Sequence, residues 1–206
     1  MSHSDDHNHD DGMSHLGEMD ARVRALESLL VEKGYVESES IDALIETYET
    51  KIGPKNGAHV VAKSWTEPDF ADWLQRDATA AIHSLGYTSR QGEHMEAVFN
   101  SDDTHHLVVC TLCSCYPWSV LGLPPVWYKS PPYRSKAVID PRGVLSDFGL
   151  QLSNTTSVEV HDSTAETRYL VIPQRPAGTD GWSAEQLMSL VTRNSMIGTA
   201  LAEQPR

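Results

Sequence analysis

The stretch Val109-Cys110-Thr111-Leu112-Cys113-Ser114-Cys115-Tyr116 organises the reading of the whole chain. It holds all three cysteines of the 206 residues. An odd number packed into six positions is not a disulfide framework; it points to metal binding or thiol chemistry. Cys110 and Cys113, three apart, can meet one ion across a single turn. Cys115 joins them only if the backbone folds tightly round the same ion, which brings the amides of Ser114 and Cys115 into bonding range. The segment can then offer three sulfurs and two amide nitrogens, with a sixth position open. Structural zinc prefers four side-chain ligands, commonly from two separated pairs, and no second pair follows here. His105 and His106 are near, but neighbours on a strand point to opposite faces. Thiolates with deprotonated amides suit trivalent iron or cobalt, a Lewis acid with room for a small substrate. The residues alone leave three readings open: a structural or weak metal site, a redox thiol, and a catalytic trivalent metal site.

Leu107-Val108-Val109 enters the cysteines as a β-forming run, and Val158-Glu159-Val160 and Tyr169-Leu170-Val171-Ile172 repeat that character downstream. Between them, Pro131, Pro132, Pro141 and Gly143 keep any helices over Trp127 to Phe148 short. Ser183 with Gln186 predicts a capping box and a last helix through Leu187, Leu190 and Val191, with Gly198 beyond it. Upstream the period is helical. Val23, Leu26 and Leu30 lead to Gly34, and Ser38 is expected to cap a helix striped by Ile41, Leu44, Ile45 and Tyr48, ended by Gly53-Pro54. A third helix carries Val60, Val61 and Trp65. Thr66-Glu67-Pro68-Asp69 then opens a fourth, expected to run through Phe70, Trp73, Leu74, Ala81 and Leu85 to Gly86. The fold expected is α+β: a His/Asp-rich disordered tail over 1–19, an N-terminal helical arm over 20–86, and a globular α/β core over 87–206 carrying the cysteine loop. The arm's small apolar face predicts packing against another chain.

The net charge is −13, from 29 acidic and 16 basic residues. Such a surface repels phosphate backbones and anionic membranes, so nucleic acid and membrane partners are not expected. No apolar run approaches the roughly 20 residues of a membrane span. The start has no basic and apolar leader pattern, so the expected location is cytoplasmic.

With Tyr116-Pro117-Trp118 and Leu121-Gly122-Leu123-Pro124-Pro125 added, the cysteine segment resembles the metal claw of nitrile hydratase alpha subunits. The resemblance extends over Gly53-Pro54, Val60 to Trp65, Gln91-Gly92-Glu93, Trp127-Tyr128-Lys129, Tyr133-Arg134, Asp140-Pro141-Arg142, Thr164 to Tyr169 and Pro173 to Thr179. Thr111 and Tyr116 resemble the cobalt branch; the iron branch typically has Ser and Thr there. The resemblance implies hydration of a nitrile to an amide at one Co(III) per chain, with iron the lesser alternative. It implies Cys110, Cys113 and Cys115 as sulfur ligands and Ser114 and Cys115 as amide ligands. Cys113 would be a sulfinate and Cys115 a sulfenate, both on the thiol oxidation ladder. It also implies a beta subunit, in a heterodimer or heterotetramer, whose two arginines hold the oxidised sulfurs, and an accessory protein for cobalt loading. Gln91 and Arg168 match polar positions beside the site or at the interface, and Trp118 is expected to line the pocket or brace the loop. His161 departs from the family, which usually has an aromatic, often Trp, before the residue matching Asp162. Two alternatives stand beside this reading. One is the metal subunit of thiocyanate hydrolase, which has a similar claw; the other is a non-enzymatic metal carrier or thiol sensor.

Overall fold

The computed structural model describes residues 11–47, 53–87, 94–113 and 115–205. Contacts divide the chain after Glu46 into two units. In the first, α1 runs over Asp11–Glu32 and α2 over Ser38–Glu46. Helix α1 begins ten residues ahead of Ala21, where the apolar period starts, and Val23, Leu26 and Leu29 along it are exposed. Ser38 is the first helical residue of α2 rather than its cap. The carbonyl of Glu37 takes the first bonds, from the amides of Ser40 and Ile41. Tyr48 and the side chain of Leu44 lie outside what is described.

The second unit holds the helices over residues 53–84 together with the strands that follow them. The stretch read as an arm over 20–86 is therefore divided between the units. Gly53-Pro54 does not end a helix; it opens α3, Gly53–Thr66, because the fixed φ of proline suits a first turn. Glu67, not Thr66, is the N-cap of α4, Pro68–Arg76; Thr66 still belongs to α3, where its hydroxyl donates to the Ala62 carbonyl. The expected helix from Phe70 to Leu85 is broken at Asp77. Its carboxylate accepts from the Ala80 amide at 2.9 Å and starts α5, Ala78–Ser84. A continuous apolar period concealed that cap.

Among the described residues four strands follow: β1 His94–Phe99, β2 Thr104–Val109, β3 Ser157–Asp162 and β4 Thr167–Ile172. They make two parallel pairs, β1 with β4 (Met95 opposite Arg168) and β2 with β3 (His106 opposite Glu159). The short connections over 100–103 and 163–166 each step from one pair to the other. Buried parallel strands read as continuous apolar runs, and Leu107, Val108, Val109, Leu170, Val171 and Ile172 are all buried. β1 has no such run and no strand signal of its own; its pairing with β4 creates the strand. Between the strands lie α6 Trp118–Leu121, a 3-10 turn Val126–Lys129, α7 Pro131–Ile139 and α8 Pro141–Asp147. The prolines shorten these elements as expected. α7 packs on β2, and α8 on β3.

The Ser183/Gln186 capping box is present, but α9 covers only Ala184–Met188. A second capping box, Thr192 with Ser195, restarts the chain as α10, Arg193–Ile197. The helix expected through Leu190 and Val191 thus stops at Met188, and a separate helix follows. Gly198 ends α10 at φ +92°, and an added Cβ there would meet the His106 carbonyl oxygen. Only a residue without a side chain lets this turn lie against β2. The core joins β2 and β4 to Val60 and Val61 of α3, Leu74 of α4, Ile82 of α5 and Met196 of α10.

Candidate metal centre

β2 delivers its last residue, Val109, directly to Cys110, which is completely buried. The loop then turns so that the Sγ atoms of Cys110 and Cys113 lie 3.3 Å apart and those of Cys113 and Cys115 2.9 Å apart. All three sulfurs fall within 4.8 Å of one another, with Cys113 exposed and Cys115 buried. The Cys113 amide donates to the Cys110 sulfur at 3.3 Å. Spacing allows this convergence; Ser114, between the last two cysteines, lies outside the described residues.

The loop is tied down on several sides. At the end of β3, the Asp162 carboxylate accepts from the Thr111 amide at 2.9 Å and from the Thr111 hydroxyl at 2.5 Å. The buried Tyr128 hydroxyl donates to the Cys115 carbonyl at 2.9 Å. Arg134 on α7 donates to the Cys113 carbonyl at 3.2 Å. One residue upstream of the entry, the Tyr133 hydroxyl donates to Val108 at 2.6 Å. None of these partners was assigned a role from sequence. The signal was present in the buried tyrosines, since a phenol inside a core takes a partner for its hydroxyl. Tyr128 and Tyr133 sit in an aromatic cluster with Trp127 and Phe148.

Burial, and then the neighbouring Cys113 thiol, push the Cys115 thiol up to about 12, against the pull of Arg168. Three thiolates this close repel one another, so the ionised set demands a strong cation at its centre. Arg168 is buried on β4, and its positive charge reaches Cys115. Trp118 begins α6, two residues beyond Tyr116, and is 39 % exposed. Gln91 lies outside the described residues. The donor set fits a soft or trivalent metal: three sulfurs on one turn, rigidly held, with Cys113 open to solvent. Leu112, at the loop tip, is 89 % exposed.

Residues 17–200 match the family model described as nitrile hydratase, alpha chain. The high-molecular weight cobalt-containing nitrile hydratase subunit alpha of Rhodococcus rhodochrous is 56 % identical over 190 residues, covering 92 % of this chain and 94 % of that one. The thiocyanate hydrolase subunit gamma of Thiobacillus thioparus is 39 % identical over 188 residues, covering 86 % of this chain and 77 % of that one. Among solved structures, a double mutant of the Fe-type nitrile hydratase of Comamonas testosteroni Ni1 superposes with a TM-score of 0.83 at 37 % identity, covering 92 % of each chain.

Proposed function

The chain belongs to the nitrile hydratase alpha-chain family, and from that premise we propose that it is the cobalt-binding subunit of an enzyme that hydrates a nitrile to its amide. The observation that carries this reading is the convergence of the Cys110, Cys113 and Cys115 sulfurs on one point. The cobalt preference draws on Thr111 and Tyr116 and on the cobalt-containing relative from Rhodococcus rhodochrous.

Cys110, Cys113 and Cys115 would hold the metal through sulfur, with the amides of Ser114 and Cys115 completing the set. Bound Co(III) supplies Lewis acidity to polarise a nitrile, which is otherwise a poor electrophile. The chain's own residues do the rest. Cys115, if carried as a sulfenate, would supply an oxygen for attack on the nitrile carbon, as nucleophile or as base for a water. Cys113, carried as a sulfinate, adds negative charge that two arginines of a beta subunit would hold through charge-assisted hydrogen bonds. Tyr128 positions Cys115 through its carbonyl, and Asp162 positions the loop through Thr111. Arg168 favours the anionic form of Cys115. Gln91 and Trp118 belong to the surroundings of the pocket in this reading. The exposed Leu112 supports a partner chain lying over the loop. Cobalt loading by an accessory protein and a cytoplasmic location complete the proposal; no helix among the described residues is long and apolar enough to cross a membrane.

The test is the purified alpha–beta complex assayed with a nitrile and, separately, with thiocyanate, alongside Cys115→Ser. Amide formation by the wild type and none by the variant is the expected pair of results. Turnover of thiocyanate alone would move the chain to the thiocyanate hydrolase branch, which the relative from Thiobacillus thioparus keeps in view. Near-normal nitrile hydration by Cys115→Ser would refute the sulfenate role.

A further inference from the structure

Adjacent strand residues face opposite sides, and the His105-His106 pair obeys that rule. His105 is directed to Gly198, its Nε2 2.7 Å from that carbonyl oxygen. His106 is directed to the other side, where the parallel register sets Glu159 beside it and His161 two residues further along β3. The three side chains meet. His106 Nδ1 lies 2.8 Å from His161 Nε2 and 3.7 Å from Glu159 Oε2. One ligand atom from each falls within 4.8 Å of the others.

We propose that His106, Glu159 and His161 form a second metal site, separate from the cysteine loop, for a divalent cation of the zinc class. Two imidazoles and one carboxylate, with a solvent position left over, are a donor set such ions accept. With ligand bonds of about 2.0–2.2 Å, tetrahedral ligand atoms sit about 3.3–3.6 Å apart. The observed 2.8 and 3.7 Å straddle that spacing, so small side-chain adjustments open the cradle.

The histidine tautomers already favour a ligand. His106 Nε2 lies 3.1 Å from the Phe99 carbonyl, which can only accept, so this nitrogen carries the hydrogen. Nδ1 is then the lone-pair atom, and it faces His161. A ring N–H held by a backbone carbonyl is the support that metal-bound histidines generally have. Without a cation, His161 Nε2–H donates to His106 Nδ1; with one bound, both nitrogens would face the ion as lone pairs, the His161 hydrogen having moved by solvent exchange to its Nδ1, so that each ring stays neutral and no proton is lost overall. The Tyr169 ring, 4.9 Å from His161 by centroids, closes one flank. His106 is buried, whereas the Glu159 side chain is 57 % exposed, so the cradle has a rigid floor and an open rim.

The proposal is tested on the purified cobalt-loaded complex by calorimetric titration with Zn2+, comparing wild type with Glu159→Gln and His161→Gln. Wild type is expected to take up one zinc per chain, with an X-ray absorption shell of nitrogen and oxygen only. Both variants are expected to bind at least tenfold more weakly. Glu159 is at the surface, so Glu159→Gln tests the site without disturbing the core. No uptake by wild type overturns the proposal. So does uptake unchanged in both variants, which would assign the zinc to the histidines at positions 3, 7, 9 and 15. Sulfur in the zinc shell overturns it as well, by placing the ion on the cysteine loop.

Discussion

Replacing Gly198 with alanine tests whether α10 depends on a glycine to lie against β2. Two costs can be separated. The first is conformational: φ at Gly198 is +92°, and a left-handed conformation costs an L residue about 1–2 kcal/mol. The second is steric. The added Cβ would lie 1.9 Å from the His106 carbonyl oxygen, 2.9 Å from its carbon and 3.0 Å from the Leu107 Cα. Even a close C–H···O approach needs about 3.3 Å, so the turn must retreat by about 1.4 Å. The obstacle is backbone of a buried paired strand and cannot rotate away. Overpacking of this kind costs about 1–3 kcal/mol. The sum is about 2–5 kcal/mol lost in Gly198→Ala. Gly86→Ala is the control, because φ there is +82° and nothing lies within 4 Å of the added carbon. It should lose only the conformational part, about 1–2 kcal/mol. Urea unfolding of wild type and both variants measures each loss, with equal m-values as the check that one transition is compared. Equal losses in the two variants would refute the steric argument. A Gly198→Ala protein within about 0.5 kcal/mol of wild type would refute both parts.

The remaining predictions concern the tyrosine brace and the buried histidines. Tyr128→Phe removes the donor to the Cys115 carbonyl, and the loss expected is about 1–2 kcal/mol by urea unfolding, with faster release of metal to a chelator; unchanged stability together with unchanged release would exclude Tyr128 as a brace. Burial lowers the pKa of His105, and likewise of His106 and His161, below the ordinary 6.5. The unfolded chain therefore binds more protons than the native one below that pH. Stability should be full above about pH 6.5 and fall as the pH drops through it, by at most about 1.4 kcal/mol per histidine per pH unit. Urea midpoints at pH 7.5 and 5.5 check this, and an equal or higher midpoint at the lower pH contradicts it.

Local chemistry made much of this protein legible in its sequence. The spacing of Cys110, Cys113 and Cys115 allows their sulfurs to converge, with Cys115 joining only if the backbone folds tightly, and the structure brings all three together. The strands β2 and β4 announce themselves by continuous β-forming runs and β3 by the alternation Val158-Glu159-Val160, and Ser183 with Gln186 announces a helix start. Each signal is confined to a few neighbouring residues. What distance along the chain separates, only the tertiary structure decided. β1 has no strand signal and exists through its pairing with β4, some seventy residues away. Asp77 interrupts a helix whose apolar period continues across it, since a cap competes locally with a pattern that reports burial. Asp162 on Thr111, Tyr128 on the Cys115 carbonyl and Arg134 on the Cys113 carbonyl are contacts across 51, 13 and 21 residues. The meeting of His106 with Glu159 and His161 belongs to the same class. It depends on the register of two parallel strands, and register is set by the packing of whole faces rather than by any residue's immediate neighbours.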